Sequence, residues 1–153
     1  MFTIKEGAFC HCTALVRRLR PEVTAVAIGL GVDARAELRN AFRSSGFARS
    51  WISDDGAVLA MYGVSGPLLA TEGTVWLALS REATRHPKAI LREARRQLAQ
   101  LGAIKHRLLA EPFLADPASV RFARRLGFVE REDQDEAQKL GAVAMVLNLR
   151  GTN

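Results

Sequence analysis

The stretch from Thr74 to Phe128 limits what this chain can fold into, because its hydrophobic period changes several times within it. Val75-Trp76-Leu77-Ala78-Leu79 is a short apolar run, compact enough for a buried strand. A polar, glycine-free segment from Ser80 to His86 follows. Pro87 then suits the first turn of a helix that places Ile90, Leu91, Ala94, Leu98 and Leu101 on one face. A second short run, Arg107 to Ala110, leads through Asp116-Pro117-Ala118-Ser119 into another helix ending at Leu126-Gly127-Phe128. Read by period, this is strand, helix, strand, helix. A strand–helix–strand crossover of this length implies two parallel neighbouring strands.

The flanking sequence supplies further elements. Phe2-Thr3-Ile4 alternates as a short strand does, and Ala8 to Leu19 reads as a helix with Leu15, Val16 and Leu19 on one side. Pro21 stops that helix, since the residue before a proline is pushed out of the helical region. Val23 to Leu30 is apolar and interrupted by Gly29, with Gly31 just beyond, and its pattern assigns neither helix nor strand. Asp33 is placed to cap a helix from Ala34 to Arg43, with Glu37 near the position that completes a capping box; Ser44-Ser45-Gly46 ends it. Ala48 to Ser53 and Ala57 to Val64 form a hairpin around Asp54-Asp55-Gly56, and Ser65-Gly66-Pro67 breaks its second strand. After Phe128, the charged run from Glu130 to Glu136 reads as an exposed connection. Ala142 to Leu149 is nearly all apolar and is expected to be a final strand buried on both faces. The expected architecture is an α/β sheet with helices on both faces, in a single domain over residues 1–153.

The element order and the segment from Asp116 to Phe128 resemble the GNAT superfamily of N-acetyltransferases. There, a strand and loop lead into a helix whose N-terminus holds the acetyl-CoA pyrophosphate, and a later strand leads to N-x-x-A-x-x-x-Y-x-x-x-G-F. In this chain Asp116 falls at the asparagine, Ser119 at a small residue, and Gly127-Phe128 match. Ala60-Met61-Tyr62-Gly63-Val64 and the Trp76-Leu77 strand look like a phage-associated, GNAT-like group. The resemblance covers the chain from roughly Ile4 to Phe128. It implies a GNAT-like (acyl-CoA N-acyltransferase) fold: a mixed central sheet of six to seven strands flanked by about four helices. Acetyl-CoA would be the co-substrate.

The resemblance also implies a site. Strand-edge amides around Leu79 would hold the pantetheine and polarise the thioester carbonyl. The loop that is glycine-rich in the family corresponds to Ser80 through Ala89, and both glycines are absent. Glycine lets backbone amides approach a pyrophosphate without a Cβ in the way. Without it, Arg85, His86 and Lys88 would grip phosphate by charge, helped by the first amides of the helix, Ala89 included, and by its dipole. The competing reading leaves these residues solvated at the start of a surface helix. Asp116 joins the cofactor-binding set through the family's asparagine position. The tyrosine that often protonates the leaving thiolate is replaced by Ala123. Glu72 and Glu111 are the carboxylates the topology offers as general base, and Ser80 could hydrogen-bond substrate or water. Each carboxylate also reads as an ordinary loop-end residue.

Composition narrows the partners. The formal charge is +6 and the sequence pI near 10.1, which favours anionic partners without naming one. Aromatic content is 7%, too sparse for the stacking platforms of single-strand binders, so a nucleic-acid role lacks a base-reading signature. Cys10 and Cys12 flank His11, too close for an easy disulfide and without a second cluster to complete a zinc site. They read as small core or helix-face residues, and no metal is expected. No apolar run approaches the roughly 20 residues that cross a bilayer, and Lys5 and Glu6 interrupt the start where a signal peptide would be apolar. The expected protein is a cytoplasmic acetyl-CoA-dependent N-acyltransferase acting on a small-molecule or peptide amine by direct attack, with a homodimer in keeping with the family. The rival is a GNAT-fold structural or interaction protein that has lost catalysis, of phage or prophage origin and located in the virion.

Overall fold

Local chemistry fixes most element boundaries in the computed structural model, which describes residues 2–149. In chain order the elements are β1 (Phe2–Glu6), α1 (Phe9–Val16), α2 (Pro21–Leu30), α3 (Ala34–Arg43), β2 (Ser45–Ser53), β3 (Val58–Ser65) and β4 (Glu72–Leu79). After a 3₁₀ turn at Ala83–Arg85 come α4 (Pro87–Leu101), β5 (Arg107–Ala110), α5 (Pro117–Leu126), β6 (Val129–Glu130), α6 (Asp135–Lys139) and β7 (Met145–Asn148). The strands form one mixed sheet in the order β1-β2-β3-β4-β5-β7-β6. Seven strands are within the expected number; the six helices exceed the expected four by α2 and α6. Among the described residues no helix is long and apolar enough to cross a membrane.

Caps and turns behave as their chemistry dictates. The Asp33 side chain accepts from the Arg35 and Ala36 amides at 2.9 and 3.5 Å, satisfying two donors that the first turn of α3 leaves without a helical partner. Asp116 caps α5 in the same way, and Gly127 ends that helix in the left-handed region at φ 101°. Gly56, at φ 84°, turns the β2–β3 hairpin, whose mouth is closed by Ser53 Oγ on both the amide and carbonyl of Ala57.

Three expectations are corrected. The first helix ends at Val16, not at Leu19, so Pro21 does not end it; Pro21 is instead the first residue of α2, where its missing N–H costs nothing. The unassigned stretch after it is that helix, closed by Gly31 at φ 67°. Its apolar residues lie on every side, so it shows no one-sided period, and none of its residues is fully buried; Ile28 is 74% exposed. The final strand spans only Met145–Asn148 and is not buried on both faces: Val146 and Leu147 are half-buried and Asn148 is exposed. Ala142, Val143 and Ala144 are buried outside it, with Ala142 bridged to Phe113. The charged run after Phe128 is exposed for the most part but contains the start of α6, and β6 overlaps its beginning.

The chain divides into two compact units: the described residues up to Leu68 with Val75–Pro87, and Leu69–Thr74 with the described residues from Lys88. In the first, β1 and β2 pair antiparallel from Phe2↔Ser53 to Glu6↔Arg49, and β2 continues into the β3 hairpin. Helices α1 and α3 cover one face through Cys12, Leu15 and Leu38, which pack with Ile52, Val58 and Met61. Trp51 is fully buried, stacked on Phe2 with centroids 5.3 Å apart and edge-on to Tyr62 at 5.6 Å. Cys12 lies in the core while Cys10 is exposed. Beside them His11 Nδ1 bonds the fully buried Ser50 hydroxyl at 2.8 Å. Burial, and then the charge of Lys5, hold the His11 pKa below its ordinary value of 6.5.

In the second unit, β5 pairs antiparallel with β7 along all four residues, and β6 pairs with the far edge of β7. Leu108 and Met145 are fully buried. Ahead of β7 the Gln134 side chain stands in for a strand, accepting from the Ala144 amide at 2.8 Å and donating to its carbonyl at 2.9 Å.

Two measurements test this packing. A Cβ at Gly63 would lie 2.7 Å from both the Phe47 carbonyl oxygen and Trp76 Cζ2, so Gly63→Ala is expected to cost about 1–3 kcal/mol in urea unfolding. Gly29→Ala in α2, with open space around it, is expected to be neutral or to gain up to about 1 kcal/mol. For His11 the folded pKa is depressed, so the unfolded chain binds the extra proton. The stability its neutral ring contributes is therefore complete above pH ~6.5 and lost as pH falls through the lower folded value. The decline of Tm between pH 7.5 and 5 should flatten in His11→Gln.

Candidate functional site

The geometry that stands out is an edge of β4. Its parallel ladder to β5 has three rungs, Glu72↔Arg107, Gly73↔Leu108 and Thr74↔Leu109. β5 ends at Ala110, whereas β4 continues to Leu79. Among the described residues no rung to β5 follows Thr74↔Leu109, which leaves the backbone N–H and C=O groups of β4 from Val75 onward without that partner strand. Such groups are strong donors and acceptors that a buried strand does not leave unused. On its other side the strand end is held: the Ser80 amide donates to the Leu59 carbonyl at 2.8 Å, and Ser80 bridges Leu19.

The following loop is folded on itself. Ser80 Oγ accepts from the Ala83 amide at 3.1 Å and opens the 3₁₀ turn. The Arg85 amide donates to the Glu82 carbonyl and the His86 amide to the Ala83 carbonyl. The Arg81 amide donates to the Arg18 carbonyl at 2.8 Å, and Thr84 Oγ1 donates to the Arg81 carbonyl at 2.7 Å. Five loop amides, those of Ser80, Arg81, Ala83, Arg85 and His86, are thus committed inside the first unit. A glycine-rich loop would direct such amides outward onto a phosphate. What remains outward is charge. Arg81, Arg85, His86 and Lys88 are all exposed, and Lys88 and Ala89 lie in the first turn of α4, whose amides have no intrahelical partner. The loop's carboxylate, Glu82, is anchored: Arg18 approaches it at 3.5 Å. A hydrogen bond from its own amide, followed by Arg18 and the Ser80 hydroxyl, holds its pKa below the usual carboxylate range.

The sequence-predicted residues thus occupy different settings. Leu79 ends β4, and Ser80, Arg85 and His86 belong to the loop that follows, but the Ser80 side chain is fully buried and engaged in the turn. Asp116 is 4% exposed and serves as the α5 cap, taking the Ser119 hydroxyl at 2.6 Å and its amide at 3.4 Å. Glu72 is the first residue of β4, seven steps and roughly 23 Å along the strand from Leu79, and it pairs with Arg107 Nε at 3.4 Å. Glu111 directly follows β5 and is exposed; among the described residues no cation pairs with it. Ala123 is buried on α5. Sequence reasoning missed Arg18 and Leu19, which brace the loop. No local pattern ties them to residues some sixty positions later.

No protein-family model matches the sequence, and no curated protein matches it. Solved structures do resemble it. An aminoglycoside 6′-acetyltransferase type Ii superposes with a TM-score of 0.71 at 11% identity, over 99% of both chains. The PaiA N-acetyltransferase of Thermoplasma acidophilum, in complex with coenzyme A, gives 0.67 at 14% identity, over 97% of this chain and 99% of that one. A GNAT superfamily phosphinothricin acetyltransferase of Sinorhizobium meliloti, in complex with AcCoA, gives 0.62 at 18%, over 96% and 88%. At these identities the likeness is one of fold, and the fold is that of the GNAT acyl-CoA N-acyltransferases.

If the loop holds its shape through Ser80, Ser80→Ala should leave the Ala83 amide buried without an acceptor and cost about 1–3 kcal/mol in chemical denaturation. Asp116→Ala should cost about 0.5–2 kcal/mol through the lost cap.

Proposed function

We propose that the chain binds acetyl-CoA along the open edge of β4 and transfers the acetyl group to an amine. The observation that carries this reading is the three-rung ladder, which leaves β4 with an unladdered edge ending at a basic loop and a helix N-terminus. Structural neighbours with the same fold include complexes with AcCoA and coenzyme A, which supports the same co-substrate here. The residues present fit a pyrophosphate through side chains and the first turn of α4, with Arg85 and Lys88 as the cations and His86 as a hydrogen-bond donor, and not through the loop backbone.

Bound acetyl-CoA supplies an activated thioester, on whose carbonyl carbon an amine can form an N–C bond as the C–S bond breaks. The chain's own contribution begins with β4 amides near Leu79, which orient the pantetheine and polarise the carbonyl. Glu111 accepts the proton released by the attacking amine, directly or through water. It is favoured over Glu72, whose carboxylate Arg107 already holds at the opposite end of β4. Ser80 and Asp116 contribute by positioning the loop and α5. With Ala123 in place of a tyrosine, the departing thiolate is protonated by solvent, which a thiol of ordinary pKa allows. The acceptor is a small-molecule or peptide amine.

A second reading has one observation in its favour: five loop amides already paired inside the protein leave little backbone for a phosphate. On that reading the fold serves as a binding module without acyl transfer.

Thermal unfolding separates the two. Acetyl-CoA and CoA at 100 times their dissociation constant should stabilise the protein by roughly 2.7 kcal/mol, a rise of a few degrees, with ATP ineffective. Arg85→Ala with Lys88→Ala should weaken that response about tenfold or more. No shift with either CoA species would leave the binding-module reading. Once an acceptor amine is found, Glu111→Gln should lower kcat by about 10²–10⁴-fold without changing acetyl-CoA affinity, while Glu72→Gln stays within a few-fold.

A further inference from the structure

The first unit contains a cavity of about 540 Å³ where β1 ends, α1 begins and α3 runs into β2. It lies away from the loop after β4. Ser45 of the cavity wall pairs with Ser65 at one end of β3, whereas Ser80 bonds Leu59 at the other, roughly 20 Å along that strand. Its volume is in the range that takes a small organic molecule.

Its walls combine phenyl rings with guanidinium groups. Phe9, 41% exposed, packs edge-on against Phe42 with centroids 4.8 Å apart. Arg39 and Arg43, one turn apart on α3, each place Cζ 5.4 Å from the centroid of the Phe9 ring. Arg49 sits 4.5 Å over Phe47 and pairs with Glu6 at 3.2 Å. That ion pair leaves the two cations on Phe9 without a counter-charge, and among the described residues no carboxylate pairs with either. Arg39 Nε is buried with no acceptor. Two like charges over one ring repel each other, and a buried N–H without an acceptor is unfavourable. The repulsion is relieved by the arrival of an anion at Arg43, which lines the cavity, whereas Arg39 stands behind it on the same ring. A guanidinium whose face lies on a ring keeps its N–H edge for bidentate contact with a carboxylate or phosphate.

We propose that this cavity is a binding site for a small aromatic anion. The carboxylate or phosphate lies on Arg43, which lines the cavity, and the planar body packs against Phe9 and Phe42. The assignment does not depend on acyl transfer. The site also has a built-in reporter, because Trp76 Nε1 donates to Ser45 Oγ in the cavity wall at 2.7 Å.

The full chain is titrated with benzoate and with phenyl phosphate by calorimetry, while tryptophan emission is followed in parallel. Benzylamine, benzyl alcohol and inorganic phosphate serve as controls. Saturable one-to-one binding is expected for an aromatic anion, with none for benzylamine or benzyl alcohol and weaker binding of inorganic phosphate. Arg43→Gln, at an exposed position, should raise Kd about tenfold or more while leaving Tm within a degree or two. Acetyl-CoA should not compete. Absence of heat with both aromatic anions, equal binding of benzylamine, an unchanged Kd in Arg43→Gln, or competition by acetyl-CoA would each overturn the assignment.

Discussion

A strand inside a sheet carries hydrogen-bonding groups along both edges, and β4 outruns its parallel partner after three rungs. The proposed co-substrate site depends on that shortfall. The last rung to β4 is at Leu109, one residue before β5 ends at Ala110, whereas β4 continues to Leu79 before turning into the loop. The outcome is a row of backbone donors and acceptors ready to pair with an extended, amide-containing ligand. The pantetheine arm of coenzyme A has that form, and on this reading it supplies the missing strand.

The loop after β4 shows how one local substitution of chemistry changes the rest. With glycine absent between Ser80 and Ala89, the chain does not open an anion cradle of backbone amides; it winds into a 3₁₀ turn nucleated by the Ser80 hydroxyl and braced by Arg18 and Leu19. On the proposed reading, phosphate binding shifts to side chains and the first turn of α4. Side-chain cations act at longer range and with less orientation than a nest of amides. A CoA site built this way is more sensitive to salt than a glycine-rich one, and more tolerant of how the phosphate is posed.

The excess of positive charge is spread over settings with different consequences. Arg96 is held by Glu93 and Arg124 by Glu130 as surface pairs of small energetic weight. Arg39 and Arg43 lie on an aromatic ring with no carboxylate beside them. The second arrangement turns basic composition into a candidate site, and a net charge of +6 by itself does not distinguish the two.

Features decided within a few residues were legible in the sequence. Asp33 as a cap, Gly56 as a hairpin turn, and the parallel pair joined by a helix follow from local chemistry and handedness, whereas Asp116, read as a cofactor-binding residue, is engaged as the α5 cap. Helix α2 was not legible, because residues apolar on every side carry no period that separates helix from strand. The last strand was read too long, since Ala142 to Ala144 are buried by Phe113 and Gln134 and not by a ladder. Which carboxylate is engaged, where β4 loses its partner, and which arginines share the Phe9 ring were decided only by the tertiary structure. Each depends on groups brought together from distant positions, Glu72 with Arg107 and Phe9 with Arg39 and Arg43. Sequence by itself determined the elements and their order, because backbone preference is short-ranged; the fold determined the neighbours, because charge, burial and ring contacts act through space.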